Sequence, residues 1–195
     1  PGRPVLTGVV VIPFALAAAV LAGWRAARRG RSAFVVASSV LFVLYLGWVV
    51  AATLFPLPVR APVAELEAAG RGGVSVELVP LAGIRDVLAH GSSSVRAWIL
   101  GGNVLTLVPF GFLLPFTAPR LATWRRMAVA ALLFPLGIEL AQLAVSLALG
   151  YSYRVTEIDD VLLNFVGVLL GFAGHLAARR FVTESRAGVG GPADR

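Results

Sequence analysis

The chain has 195 residues, 58% of them hydrophobic and only 14% charged, with a formal net charge of +7. That balance excludes a soluble globular domain, which needs far more polar surface. The absence of cysteine excludes a disulfide or a thiolate site. All 17 basic residues are arginines, which we read as the compositional bias of a GC-rich bacterial genome. In a soluble protein this surplus would suggest nucleic acid as a partner. Here the arginines flank apolar blocks, so orientation in a membrane explains them and no nucleic acid is expected.

A bilayer core takes about 20 apolar residues per helix. Five blocks have that length: roughly Val5–Gly23, Ala33–Phe55, Trp98–Ala118, Met127–Gly150 and Asp160–Ala177. The fold class expected is therefore all-α, a polytopic integral membrane bundle of about five transmembrane helices. Residues 1–182 form a single membrane domain, and 183–195 read as a disordered cytoplasmic tail. The first block is read as a mature helix rather than a signal peptide. Its arginines, Arg25, Arg28, Arg29 and Arg31, follow the apolar run, the reverse of signal-peptide polarity.

Short arginine-rich loops stay cytoplasmic. Arg25 to Arg31 fill the first loop, Arg120, Arg125 and Arg126 the third, and Arg179 and Arg180 open the tail. These alternate correctly if the N-terminus is outside and the C-terminus inside. The loops Pro56–Ala97 and Tyr151–Asp159 then lie outside and carry most of the acidic residues. Trp24, Trp98 and Trp124 fall at predicted helix ends, as an aromatic belt requires. Within the long loop, Pro80 can start a short helix, with Leu81, Ile84 and Leu88 on one face and Arg85, Asp86 and His90 turned away. Such a helix would lie flat on the outer leaflet or dip into the bundle.

Polar side chains inside apolar helices are costly, about 2.5–3.5 kcal/mol for a charged one. Asn103 heads the third block, followed by Thr106 and Phe110, with Pro109 and Pro115 interrupting the helix. Glu139, Gln142 and Ser146 form a stripe on the fourth, one turn after Pro135. On the fifth, Asp160, Asn164, Gly167 and Gly171 share a narrow stripe, polar first and then small enough for a neighbouring helix to approach. Arg154, Glu157 and Asp159 lie in the loop directly above. The candidate polar site is thus Asn103, Glu139, Gln142, Arg154, Glu157, Asp160 and Asn164, with Gly167 and Gly171 for helix packing. Structural readings stand beside the functional ones: interhelical hydrogen bonding for the amides, an ion pair with Arg154 or protonation through burial for Glu139, and N-capping of the last helix for Asp159 and Asp160. The oxygen set lacks any dedicated metal spacing, so no metal and no cofactor are expected.

The last two helices resemble the VanZ-like family of bacterial membrane proteins. The resemblance is carried by Ile138-Glu139-Leu140-Ala141-Gln142, by Arg154 to Asp160, and by Asn164-Phe165-Val166-Gly167 with Gly171. Upstream, Gly102 to Gly111 is similar to the family's Asn-led helix with its Pro-Phe-Gly segment. Glu77-Leu78-Val79-Pro80-Leu81 is an altered form of its Asn-Leu-x-Pro-Phe stretch. The likeness covers about residues 40–178. Two departures touch the candidate site: Pro135 and Gly137 stand where serine often precedes the glutamate, and Glu157 where aspartate is usual.

The resemblance implies a bacterial cell-membrane protein with a role at the envelope, the named member being associated with teicoplanin resistance. It implies no reaction. The partners expected are membrane lipids, with a lipid-linked cell-wall precursor or a lipoglycopeptide as ligand. Three function classes stand open: a non-enzymatic envelope protein, an enzyme using Glu139 or Asp160 on a lipid headgroup or precursor, and a small transporter. Against the transporter stand the lack of inverted repeats and of charge on the inner half. A Ser146–His175 protease pair is disfavoured because the two fall toward different membrane faces.

The orientation is open to a direct test. Single cysteines at Ala69 and Ser152 should react with an impermeant reagent on intact cells, and cysteines at Ala27 and Thr123 should not. Labelling at Ala27 would reverse the topology.

Overall fold

The computed structural model describes residues 5–58 and 72–189. A short 3-10 turn, Gly8–Val11, leads into α1 (Ile12–Arg28), and α2 follows as Ala33–Leu54. A short helix, α3 (Ala82–His90), precedes α4 (Ser93–Thr117), whose residues Ala97–Gly101 form a π turn. Then come α5 (Trp124–Leu149) and α6 (Ile158–Val189). Five of these helices are long and apolar enough to cross a membrane: Gly8–Arg28, Ala33–Leu54, Ser93–Thr117, Trp124–Leu149 and Ile158–Arg180. Large apolar side chains such as Phe14, Val20, Leu105 and Leu147 remain exposed around the bundle, as lipid-facing positions do. The backbone of α6 stays helical to Val189, past the start expected for the tail at 183, and residues 190–195 lie outside those described. So does Ala69.

The most extensive helix contact is between α4 and α6, and it is made by backbone. A Cβ on Gly111 would collide with the Val168 carbonyl oxygen, one on Gly167 with that of Val104, and one on Gly171 with that of Val108. Glycine is required at all three, because only its missing side chain lets the two helices approach so closely. Around this seam the core holds Leu107, Phe110, Leu113, Val168 and Phe172, closed by Met127 and Ala131 from α5 and Phe42 and Val49 from α2. Pro109 and Pro115 lie inside α4. Carbonyls of that interrupted helix accept side-chain donors from neighbours: the Tyr45 hydroxyl donates to Thr106 at 2.7 Å, and the buried His175 Nδ1 lies 3.2 Å from the Phe112 oxygen.

The helices α1 and α2 pack as a pair, with Gly47 against Ala15 and Gly23 against Val40. Two-residue strands join the segments at one end of the bundle. β1 (Val5–Leu6) pairs antiparallel with β2 (Leu57–Pro58), and β3 (Val76–Glu77) pairs parallel with β4 (Thr156–Glu157). The second pairing is extended by Ser152 N–H to the Gly73 carbonyl at 3.0 Å. It lashes the long loop to the short one, and both carry acidic residues. We call this the acidic end; the arginines of the α1–α2 and α4–α5 turns mark the other.

Candidate functional site

The seven candidate residues separate into two groups at the acidic end. Glu139 and Gln142 are buried on α5, at 4% and 6% exposure, beside the fully buried Ser146. Gln142 Nε2 donates to the Thr53 carbonyl of α2 at 2.9 Å, and Ser146 Oγ to the Arg154 carbonyl at 3.3 Å. Glu139 Oε2 accepts the Glu157 backbone N–H at 3.1 Å. This half is a sealed network that ties α5 to α2 and to the loop before α6.

Arg154 corrects the ion pair expected from sequence. Its guanidinium does not reach Glu139; Nη2 donates to the carbonyls of Ala52, at 3.2 Å, and Phe55, at 3.0 Å. Those oxygens end α2 and have no intrahelical partner, and a cation there also meets the negative pole of the helix. Unsatisfied backbone at a helix end outcompetes a carboxylate one helix away.

In the second group, Glu157 and Asp160 border a cavity. Asn103 Nδ2 donates to Asp160 Oδ1 at 2.5 Å, from the turn that follows the π segment of α4. Asn164, one turn into α6, donates to the Asp160 carbonyl at 2.8 Å, and its own Oδ1 is buried without a protein donor. Glu157, Asp159 and Asp160 line a cavity of about 220 Å³ whose other wall is Gly83, Ile84, Asp86 and Val87 of α3 with Ile99 and Leu100 of α4. Asp86 is already engaged by His90 Nδ1 at 2.9 Å, out toward solvent. No carboxylate lining the cavity has an arginine within ion-pair distance among the described residues.

Asp159 is the residue whose role the sequence did not disclose. It does not cap its own helix. Its carboxylate accepts the Leu81 N–H at 2.5 Å and the Ile84 N–H at 3.0 Å, so it caps α3 from across the chain, at 4% exposure. Leu81 takes a left-handed conformation, φ 66°, to begin that helix. Docking this way turns the small face Gly83–Ile84–Val87 inward and leaves Leu81 and Leu88 at 42% and 50% exposure. The face Leu81–Ile84–Leu88, expected either to lie on the outer leaflet or to dip into the bundle, is therefore divided between the two. The outward leucines join Leu78, Val79 and Trp98 in an apolar rim suited to the bilayer interface.

A family model described as VanZ/LLP1 matches residues 42–179 of this chain. The chain belongs to that family. No curated protein and no solved structure matches it. The matched span contains all seven candidate residues of this VanZ-like protein, together with the α4–α6 glycine seam and the whole of α3. It takes in only the later part of α2 and leaves α1 outside.

Two outcomes follow. Asp159→Ala removes the acceptor for two N–H groups of α3 and should cost about 2 kcal/mol. Hydrogen exchange should then quicken across residues 81–90 while α4 and α6 stay protected; unchanged protection of α3 would deny the cap its role. Glu157 supplies the second. Burial first, then Asp160, Asp159 and Glu77, raise its carboxyl above the ordinary glutamate range. A carboxyl raised on folding holds its proton more tightly in the folded chain. Its ionisation therefore weakens the fold as pH rises from the ordinary range through the raised value. Glu157→Gln should melt above the parent at neutral pH, with the difference vanishing below about pH 4.

Proposed function

We propose that this VanZ-like protein sits in the bacterial plasma membrane with its acidic end outward and its arginine end in the cytoplasm. There it alters the behaviour of a glycopeptide antibiotic such as teicoplanin, or of the lipid-linked cell-wall precursor, at the outer leaflet. The observation that carries the reading is the cavity between α3, α4 and α6. Three carboxylates, Glu157, Asp159 and Asp160, border it with no arginine within ion-pair distance among the described residues, and apolar side chains, Leu81, Leu88 and Trp98, are exposed. An amphipathic molecule carrying an ammonium or a hydrogen-bonding sugar finds both of its needs there: acceptors in the cavity and lipid-facing surface at the rim. Asp160 is the central acceptor, oriented by Asn103.

A second reading, a membrane-embedded enzyme acting on a lipid headgroup or precursor, is favoured by the same Asp160. A carboxylate oriented by an amide and open to a cavity is placed to act as a general base. Glu139 suits that role less, since it is sealed against the Glu157 backbone.

Expression of the parent chain in a susceptible bacterium should raise survival on teicoplanin. Asp160→Asn should lose that protection at unchanged membrane abundance and melting, because it keeps the shape and removes the charge. Gln142→Ala, in the sealed half, should lose protection only in proportion to lost folded protein. A parent that never changes susceptibility overturns the antibiotic role, and lipid turnover by parent and Asp160→Asn membranes then tests the enzyme.

A further inference from the structure

A second cavity, of about 330 Å³, lies at the arginine end, between α1, α2 and the end of α4. Its mouth is Arg25, Arg29 and Arg31, and its walls are Ala22, Ala26, Val35, Phe42 and Val43, with Ser39 and Thr117 between. The turn after α1 concentrates the charge. Gly30, at φ 64°, takes the left-handed conformation that ends the helix, and Arg31 N–H returns to the Ala26 carbonyl at 3.2 Å. That reversal folds Arg31 back toward Arg25 and Arg29. Arg28 leaves the group, its guanidinium lying 4.7 Å over the Trp24 ring. No carboxylate lies within ion-pair distance of the three among the described residues. Three guanidinium groups gathered at one mouth repel one another, and a shared anion relieves the repulsion.

Below the mouth the slot is apolar and runs into the membrane. Val35, Ser39, Phe42 and Val43 fall on one face of α2 and extend about 12 Å along it. Ser39 adds no free polarity, because its hydroxyl donates to the Val35 carbonyl of its own helix at 2.8 Å. Thr117 is satisfied likewise, by Leu114 at 3.0 Å. The slot therefore offers cationic donors at the membrane surface and hydrocarbon contact beneath.

We infer that this slot is a binding site for an anionic phospholipid of the adjoining leaflet, its phosphate held by Arg25, Arg29 and Arg31 and one acyl chain lying along α2. A basic pocket between membrane helices recognises a lipid headgroup by this pairing of charge and depth. A free phosphate would use the mouth alone. The site lies mostly outside the family-matched residues, at the end away from the acidic cavity, and stands independently of the role proposed there.

The test is native mass spectrometry of the full chain released from detergent. Phosphatidylglycerol is compared with phosphatidylcholine of the same acyl chains. Phosphatidylglycerol should be retained on the order of tenfold more tightly, and the double variant Arg25→Gln, Arg29→Gln should erase the preference. The matched double variant Arg125→Gln, Arg180→Gln removes the same charge at the same end and should keep it. Ser39→Phe fills the slot with every arginine in place and should also weaken retention. Both arginine pairs are exposed, so those variants decide the matter even if the filled slot fails to fold. Equal retention of both lipids, equal loss in the two double variants, or displacement of the lipid by inorganic phosphate alone would overturn the site.

Discussion

The close approach of α4 and α6 through Gly111, Gly167 and Gly171 is the constraint on which the rest of the structure depends. Between apolar helices in lipid, burial of hydrocarbon gives little drive, so contact area and hydrogen bonding decide which helices associate. Three missing side chains let the α4 and α6 backbones touch between Val104 and Phe112 on one side and Gly167 and Phe172 on the other. That contact fixes their rotation about their own axes. With rotation fixed, Asn103 and Asp160 face each other beyond the seam glycines, and His175 faces the Phe112 carbonyl toward its other end. A methyl group at any of the three glycines would part the helices and loosen both pairs.

The acidic end is built on that frame by loops satisfying one another's backbone. The β3–β4 pairing and the Asp159 cap bring a segment more than 70 residues upstream onto the start of α6. Arg154 does the same for α2 by closing its last carbonyls. These devices use polar groups to hold backbone rather than to hold one another. That is why, among the described residues, the end of the bundle where acidic residues gather contains so few ion pairs.

The five spans were legible because twenty consecutive apolar residues form a signal that no local detail can hide. The polar stripes were legible too, since Asp160, Asn164, Gly167 and Gly171 follow the helical period whatever they contact. Partners were harder. Glu139 and Arg154 carry opposite charge close in sequence, and pairing them was the natural expectation. The competing acceptors, the carbonyls of Ala52 and Phe55, are backbone and leave no mark in residue identity. The cap made by Asp159 depends on a contact spanning 78 positions, and the π turn of Ala97–Gly101 has no residue signature of its own. A hint did exist in the paired acidic residues, because two carboxylates at one helix start exceed what that helix alone requires.

The cap has a mechanical consequence. Asp159 belongs to the first turn of α6 yet holds the first turn of α3, so the two helices are pinned at a common hinge point. Separating α3 from α6 would break two part-buried hydrogen bonds to the Asp159 side chain. Movement of α3 away from α4 breaks none that involve its side chains, and the connection there is the short Gly91–Ser92 link. The acidic cavity is therefore bounded unequally, by the capped start of α3 on the α6 side and by the apolar Ile99 and Leu100 of the π turn on the α4 side. The side of the cavity without polar backbone ties is thus also its apolar side.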